Sequence, residues 1–525
     1  MCGKLPIRAK WNSKAFVAVK ACLVALLLHS HLLLHSAQAQ QGSASLPSGG
    51  GAVPAPSPDK RESAPRKRKI GPLEVSGSWR VRTEGWNWFE ATAGESDYAF
   101  VHSLLRVAVG QQADRFEWRL EGAQDSILAL PSNAVVAAPQ GQLGLGGTYF
   151  ASNGSTRNNA NGFVKQAYVT VRKLGPFQAR FGRFEFLDGV EILPKDRLLA
   201  TIAQTRVAQR LIGNFGWSAV GRSLDGVNLT SDWDSNNLTF VAARPTRGVY
   251  QVDAMGELDI DLFYGAYTHV FATNGYGLRL RTFGIGYLDH RESVLKTDNR
   301  ASAARAADHG EIQIGSYGVD LLQVLDVARS HKIDFILWGV LQSGSWGVER
   351  HRAAAMVAEA GWMAASAPTK PWFSIGYSHA SGDANPNDGT HGTFFQILPT
   401  PRPYARFPLW NMENSDDFYG SAVLQPTAKL SVRSEAHALR LANASDLWYL
   451  GGGAFQPHTF GYTGRPSNGK GSLANIWDVS SDYRVTTAFS VGLYYGRAWG
   501  KAVVGGIYPA DRNAQIAYLE TNFRF

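Results

Sequence analysis

From Leu73 onward the chain alternates apolar and polar side chains with a period of two, in segment after segment. In LEVSGSWRVRTEGW, Leu73, Val75, Trp79 and Val81 share one face while Ser76, Ser78, Arg80, Arg82 and Glu84 share the other. In RFEWRLEG, Phe116, Trp118 and Leu120 oppose Arg115, Glu117, Arg119 and Glu121. Successive side chains of a strand point to opposite sides of its sheet, so these segments read as strands with one apolar and one polar face. A soluble sandwich also alternates, but its polar face rarely carries charge at every position over strands this long. An outer face against lipid and an inner face against water accounts for the pattern better. After Ile70 no apolar run is long enough for a helix to cross a bilayer.

Connection lengths test this reading independently. Strands near 73–86, 98–109, 114–125, 162–173, 176–185, 221–231, 236–247, 255–269, 276–289, 311–323, 331–345, 350–365, 371–381, 416–425, 428–440, 471–483, 486–499 and 512–525 number about eighteen. They are joined alternately by long and short segments, GQQAD and KLGP being short and those around Asn153 and Arg206 the longest. Both chain ends fall on the short-turn side, as an even-stranded barrel requires. The expected fold is all-β: a transmembrane antiparallel β-barrel of about eighteen strands with long extracellular loops. The final segment, AQIAYLETNFRF, alternates Ala517, Leu519, Thr521, Phe523 and Phe525 against Tyr518, Glu520, Asn522 and Arg524. It resembles the terminal strand by which outer-membrane barrels are recognised, so the insertion machinery, reached through Phe525, and outer-membrane lipid are the expected partners. Trp86, Trp88, Phe89, Trp372 and Trp499 fall near strand ends, where interfacial girdles would place them.

The amino-terminal segment sets the compartment. Lys4, Arg8, Lys10, Lys14 and Lys20 precede the apolar run Ala21 to Leu34, which ends in Ala37-Gln38-Ala39, the pattern of a cleaved secretory signal peptide over residues 1–39. Residues 40–70 are mostly Gly, Ser, Pro and Ala, close in Arg66-Lys67-Arg68-Lys69, and read as a disordered basic tether before a barrel over 71–525. Cys2 and Cys22 both lie in the signal segment, leaving the exported protein without a disulfide or a cysteine metal site. The formal charge of +9 also resides ahead of the barrel. Five bases stand in the signal segment and six, against Asp59 and Glu62, in residues 59–69, so residues 70–525 are formally neutral. Net charge therefore gives no reason to expect a nucleic-acid partner, and any preference for anions depends on where arginines sit.

A barrel of this size encloses water, so its function depends on what narrows it. Ala179 to Leu229 holds Arg180, Arg183, Arg197, Arg206, Arg210 and Arg222, with Glu185, Asp188 and Asp225 among them. Guanidinium groups pair with carboxylates in planar, bidentate fashion, so a row of them passes an anionic sugar from site to site; paired with lumenal acids, the same arginines only solvate a neutral wall. The polar faces of the first and third strands add Arg80, Arg82, Arg115 and Arg119 as lumenal candidates. A second segment, Gly382 to Asn414, carries Pro386, Pro399, Pro401, Pro403 and Pro408 and cannot form a ladder, yet is rich in large apolar side chains. It is expected to fold as an extracellular lid through Phe394, Phe395, Arg402, Tyr404 and Arg406. Within it Asp383, Asn385, Asn387, Asp388 and Gly389 echo a calcium loop, but the glycine falls one position late and Phe394 stands where a glutamate belongs, so no cofactor is expected. His379 with Asp383 and His391 near Asp388 suggest hydrolysis, without a serine in a strained elbow to accompany them. His437 beside Arg433 and Glu435 reads as a polar lumenal residue.

GRFEF, the pattern R-x-x-Q-R-L-I-G from Arg206 to Gly213, and GRSLDGVNL from Gly221 to Leu229 resemble the arginine-rich block of the alginate export family of outer-membrane porins. GDANPNDGTHGTFFQILPTPRPYARF, continuing to NMEN, resembles a later block of the same family. The turn at DYRVTT is short where the characterised type of that family carries a long periplasmic plug. The resemblance implies an eighteen-stranded porin that conducts an anionic saccharide, an alginate-like polyuronate, out of the periplasm. It also implies that Arg183, Glu185, Arg206, Arg210, Arg222 and Asp225 line the lumen. A general small-solute porin and a barrel hydrolase are the alternatives.

Overall fold

The computed structural model describes residues 68–273, 276–328 and 330–525. The signal peptide expected over 1–39, and the tether as far as residue 67, lie outside the described residues. Eighteen long antiparallel strands close into one barrel. In chain order they are β1 (Leu73–Asn87), β2 (Asp97–Gln112), β3 (Phe116–Leu128), β4 (Asn159–Leu174), β5 (Phe177–Phe184), β6 (Leu224–Trp233), β7 (Asn236–Pro245), β8 (Ile260–Thr273) and β9 (Tyr276–Asp289). The second half comprises β10 (Ile312–Ala328), β11 (His331–Trp346), β12 (Glu349–Ala364), β13 (Trp372–Ala380), β14 (Ser415–Thr427), β15 (Leu430–Arg440), β16 (Ser472–Arg484), β17 (Phe489–Gly500) and β18 (Asn513–Arg524). Each strand pairs with its sequence neighbour, and β1 pairs with β18 from Ser78↔Arg524 to Asn87↔Gln515, so the ladder has no open edge.

The alternation decides what faces lipid. Trp79, Leu105, Val107, Phe240, Phe263, Leu337, Ile375, Phe418 and Phe523 are exposed on the outside, while Arg82, His102, Glu121, Arg281, Asp320 and Asp478 are buried inside. Of the aromatics expected in girdles, Trp499 is exposed, but Trp86, Trp88, Phe89 and Trp372 are buried. Trp86 is in phase with Arg82 and Glu84, and its indole donates to Glu84 at 3.0 Å; Trp372 donates to the inward Asp334 at 2.8 Å. Strand closure depends on Gly77, whose backbone exchanges hydrogen bonds with Phe525 at 2.8 and 3.0 Å. A side chain at Gly77 would collide with the Phe525 ring.

Arg68–Ile70, expected within the tether, instead forms a short strand that folds back antiparallel onto Leu73 to Val75 through the turn at Gly71. Short turns join strands on the face bearing both chain ends, including 113–115, 175–176, 428–429 and 485–488. The opposite face carries the connections 88–96, 129–158, 185–223, 246–259, 290–311, 381–414, 441–471 and 501–512. One connection there is short: β11 turns into β12 over Gly347 and Val348, with Gly347 at φ 61° and the Asp308 carboxylate packed where a side chain would lie.

Three of the long loops fold into the barrel rather than over it. Phe394, Phe395, Ile397, Leu398, Phe407, Leu409 and Met412 of the 381–414 loop pack in one buried cluster with Leu199, Ile202, Val207, Leu211 and Ile212 of the 185–223 loop. The segment expected as a lid is thus an internal filling, because its apolar side chains find cover only inside the wall. A hairpin of Leu447–Gly451 with Tyr462–Pro466 completes the group from the 441–471 loop.

Candidate functional site

The inward loops are held mainly by backbone carbonyls pointed at buried cations. Arg222, fully buried, donates to the carbonyls of Gly213 (3.1 Å), Leu398 (2.9 Å), Gly452 (2.8 Å) and Ala454 (3.2 Å), so one guanidinium ties together all three loops. No carboxylate lies within salt-bridge distance of Arg222 among the described residues, and burial lowers its pKa to about 10. Arg80 donates to the carbonyls of Gly216 (2.5 Å) and Ser218, and Arg82 to that of Trp217 (2.5 Å), so β1 grips three successive residues of the 185–223 loop. Arg82 also pairs with Glu84 (2.9 Å) and Glu520 (3.1 Å). Lys165 reaches the carbonyls of Val220 and Arg222 and lies 3.5 Å from Glu185, which in turn pairs with Arg106 at 2.8 Å.

The start of the same loop is fixed to the other wall. Arg281 pairs with Asp320 (2.6 Å) and lies 3.6 Å from Asp188 and 3.4 Å from Glu191; Arg279 bridges Asp320 (2.7 Å) and the Gly189 carbonyl (2.7 Å). Between these anchors the 185–223 and 381–414 loops run side by side, with Leu398 bonded to Leu211 and Gly213, and Thr400 to Gln209. The pairing brings Arg206, Arg210, Arg402 and Arg406 against the inner wall, at Trp372, Trp338, Tyr494 and Ser480 respectively.

Arg206 pairs with Glu359 and lies 3.7 Å from Asp334, its guanidinium 4.9 Å above the Trp372 ring. Arg210 has no carboxylate within 4.0 Å among the described residues; its charge rests on the Tyr404 ring at 3.9 Å and the Trp338 ring at 5.1 Å. Tyr404 is itself fixed by a 2.6 Å bond to the Ala208 carbonyl. Arg402 also lacks a carboxylate there and stacks on Trp217 (4.0 Å), Tyr494 (4.9 Å) and Tyr518 (5.2 Å). Trp217 also carries the Arg82 guanidinium, 4.1 Å from its ring centroid. Arg406 donates to Ser480, and Arg433 to the Pro403 carbonyl (3.0 Å) and to Glu435. The space framed by Arg206, Arg210, Tyr404, Tyr419, Arg433 and Glu435 is about 20 Å³, room for a water-sized occupant.

Several expected positions differ. Arg183 and Asp225 pair in bidentate fashion (2.7 and 2.6 Å), but Arg183 is in phase with the exposed Phe181 and Asp225 with Val227, so both stand on the outer row near the rim. Arg115 and Arg119 stand toward the lumen near the chain-end face, Arg115 exposed at a short turn and Arg119 in phase with the buried Glu121, with which it pairs at 2.6 Å. His379 meets Asp416 at 2.8 Å, not Asp383, on the outward row of Phe373 and Ile375. His391 stacks on Trp346 (4.0 Å) and lies 2.9 Å from His351 through the two Nδ1 atoms, a contact absent from the sequence pattern. His437 pairs with the buried Asp417 at 2.8 Å. In the calcium-like stretch, Asp383, Asn385 and Asp388 accept the backbone N–H groups of Asn385, Asn387 and Thr390, capping their own turn. Arg279 and Arg281 are functional neighbours that the reading missed, although LRLRTF displays their inward phase plainly.

The loop cluster carries buried acids whose pKa values are raised. Burial lifts Asp188 and Asp383 to about 6, raises Asp446, and pushes Glu413 well above the usual range. A carboxyl with a raised folded pKa binds more protons packed than free, so its packing strengthens as pH falls from the folded toward the free value, roughly 6 to 4. His391, depressed by burial and by the neighbouring His351 and Arg300, works in the opposite sense below its free value. The four raised acids outnumber the groups that act in the opposite sense, the His391–His351 pair and Glu185, which Arg106 and Lys165 hold low, so acidification from pH 6 to 4 is expected to protect the 381–414 loop further from amide hydrogen exchange; loss of protection over that range would contradict the assignment.

A family model described as alginate export matches residues 73–503. No curated protein matches. Among solved structures, Acinetobacter baumannii OccAB2 is similar at TM-score 0.52 and 10% identity, covering 86% of this chain and 98% of that one. Pseudomonas aeruginosa OccK9 (OpdG) is similar at TM-score 0.51 and 8% identity, and the Pseudomonas aeruginosa OpdK structure with vanillate at 0.50 and 10%, both with the same coverages. At such identities these structures bear on the fold alone, and the fold they share is that of outer-membrane porin barrels. Because the family model spans most of the barrel, the chain belongs to the alginate export family, a family of outer-membrane channels.

Proposed function

We propose that this channel passes an anionic saccharide, a uronate chain, through the constriction built by the 185–223 and 381–414 loops. The carrying observation is the pair Arg210 and Arg402: two guanidiniums of the paired loops without carboxylate partners among the described residues, each laid on aromatic rings, Arg402 partly open and Arg210 buried with a bond to the Arg206 carbonyl at 2.8 Å. Such a surface suits a sugar acid, whose carboxylate takes guanidinium hydrogen bonds while its ring face packs on tyrosine or tryptophan. Arg206, Arg406 and Arg433, each already sharing an acceptor, extend the positive path without trapping the ligand, as conduction requires. Arg80, Arg82, Arg222 and Glu185 act in this reading by holding the loops in register.

The narrow space beside Arg206 and Arg210 favours a second reading, a porin for small carboxylates such as the vanillate of the OpdK structure. Block of single-channel current separates the two. A uronate oligomer is expected to block at concentrations where a neutral oligosaccharide of equal length does not; block by monomeric carboxylates alone would favour the small-solute porin.

A further inference from the structure

The lower lumen, on the face that bears both chain ends, holds a second group of arginines that the constriction does not use. Arg119, Arg172 and Arg180 lie on the adjacent strands β3, β4 and β5, and Arg115 sits at the turn beside them, its carbonyl accepting the Arg172 N–H at 2.7 Å. Register sets Arg119 opposite Tyr168 and Arg180 opposite Thr170, so the side chains form one continuous inner patch. Unlike the buried cations above, these remain partly open: Arg119 and Arg172 keep 21% and 27% of their side chains accessible.

Their partners do not use up their charge. Arg180 bonds only Thr170 (3.1 Å) and rests on the Tyr168 ring at 4.3 Å, with no carboxylate within 4.0 Å among the described residues; Arg115 has none either. Arg172 pairs with Glu117, which also accepts the Tyr168 hydroxyl at 3.3 Å. Arg119 pairs with Glu121, which is shared with Arg106 and Gln166. Of the other charges nearby, Lys173 pairs with Asp114 across the turn, and Asp232 accepts from the neutral Asn237 amide at 2.7 Å and keeps its charge. On the far wall at the same depth, Asp326 and Lys332 neutralise each other at 2.7 Å. Four guanidiniums are therefore gathered on this one sector of the mouth.

We infer that Arg115, Arg119, Arg172 and Arg180, with Tyr168, form an entry site for the anionic sugar chain on the face bearing the chain ends, ahead of the constriction. This rests on the reading of the channel given above. The site supplies what a first contact needs: exposed guanidiniums to draw in and pair a carboxylate, and an aromatic face to seat a pyranose ring. Its one-sided placement gives the pore a direction, because a chain held there is fed toward Arg402 and Arg210.

The test is sided block in a planar bilayer holding oriented protein, with a uronate hexamer as probe. Unchanged protein is expected to be blocked at lower concentration from the chain-end face than from the loop face. Arg119→Gln, Arg172→Gln and Arg180→Gln together are expected to raise the half-blocking concentration on that face on the order of tenfold, the equivalent of one charge-assisted hydrogen bond. Block from the loop face is expected to stay as it was, and an unchanged unfolding temperature shows that the barrel is intact. Sided block unaffected by the triple variant, or weakened equally from both faces, would overturn the entry site and leave the constriction standing. Absence of block in the unchanged protein would overturn both.

Discussion

Replacing Arg222 with methionine opens the channel without unfolding the barrel. The guanidinium of Arg222 is the common donor to Gly213, Leu398, Gly452 and Ala454, and no water-accessible alternative exists at a residue 1% exposed. Methionine preserves volume but leaves four buried carbonyls without that donor. A hydrogen bond to a charged group contributes about 1.5–3 kcal/mol net, so the loop cluster loses on the order of 4 kcal/mol once partial relaxation is allowed for. The strand ladder, whose bonds are independent of Arg222, keeps the wall closed. The expected result is a several-fold rise in single-channel conductance with added noise, and protease cleavage within 381–414, at a barrel unfolding temperature close to that of the unchanged protein. Unaltered conductance with full protection of the loop would show that the three loops are held by something else.

The barrel was readable because the physics that makes it is periodic. Lipid outside and water inside impose a two-residue rhythm on every strand, and the rhythm of Phe116, Trp118 and Leu120 against Glu117, Arg119 and Glu121 is visible without any coordinates. The same rhythm, followed to the end, also places Arg183. In FQARFGRF it shares phase with Phe177 and Phe181, the lipid-facing row, and only the arginine-rich surroundings argued for the lumen. Trp86 and Trp372 were misplaced for a related reason: their position near strand ends suggested a girdle, whereas their phase with Glu84 and Ser374 points inward.

The loops were not readable in this way, because nothing in their contacts repeats. Arg222 bonds carbonyls at 213, 398, 452 and 454, and carbonyls carry no side-chain signature. The prolines from Pro399 to Pro408 correctly excluded a strand, and the apolar residues around them required cover, but not whether that cover lay above the barrel or within it. The pairing of Leu398 with Leu211 and Gly213 decides it, and brings together two blocks almost two hundred residues apart, roughly the scale at which only tertiary closure can speak.

In the proposed reading Arg210 and Arg402 set the charge preference of the pore. Both are held in place by aromatic faces and a backbone carbonyl rather than by acids, so removing them subtracts positive potential without freeing a partner carboxylate. Glu359, Asp417, Glu435 and Asp478 remain on the wall beside Arg206, Arg406, Arg433 and His437, so with the two arginines gone the constriction loses its surplus of positive charge. The remaining anchors, Arg222, Arg80 and Arg82, keep the loops in register, so the change acts on selectivity rather than on shape.

Reversal potential under a salt gradient is the direct measurement. The unchanged channel is expected to prefer anions, and Arg210→Ala with Arg402→Ala is expected to lower the anion-to-cation permeability ratio on the order of tenfold. An unchanged channel that prefers cations, or a double variant whose reversal potential does not move, would contradict the account.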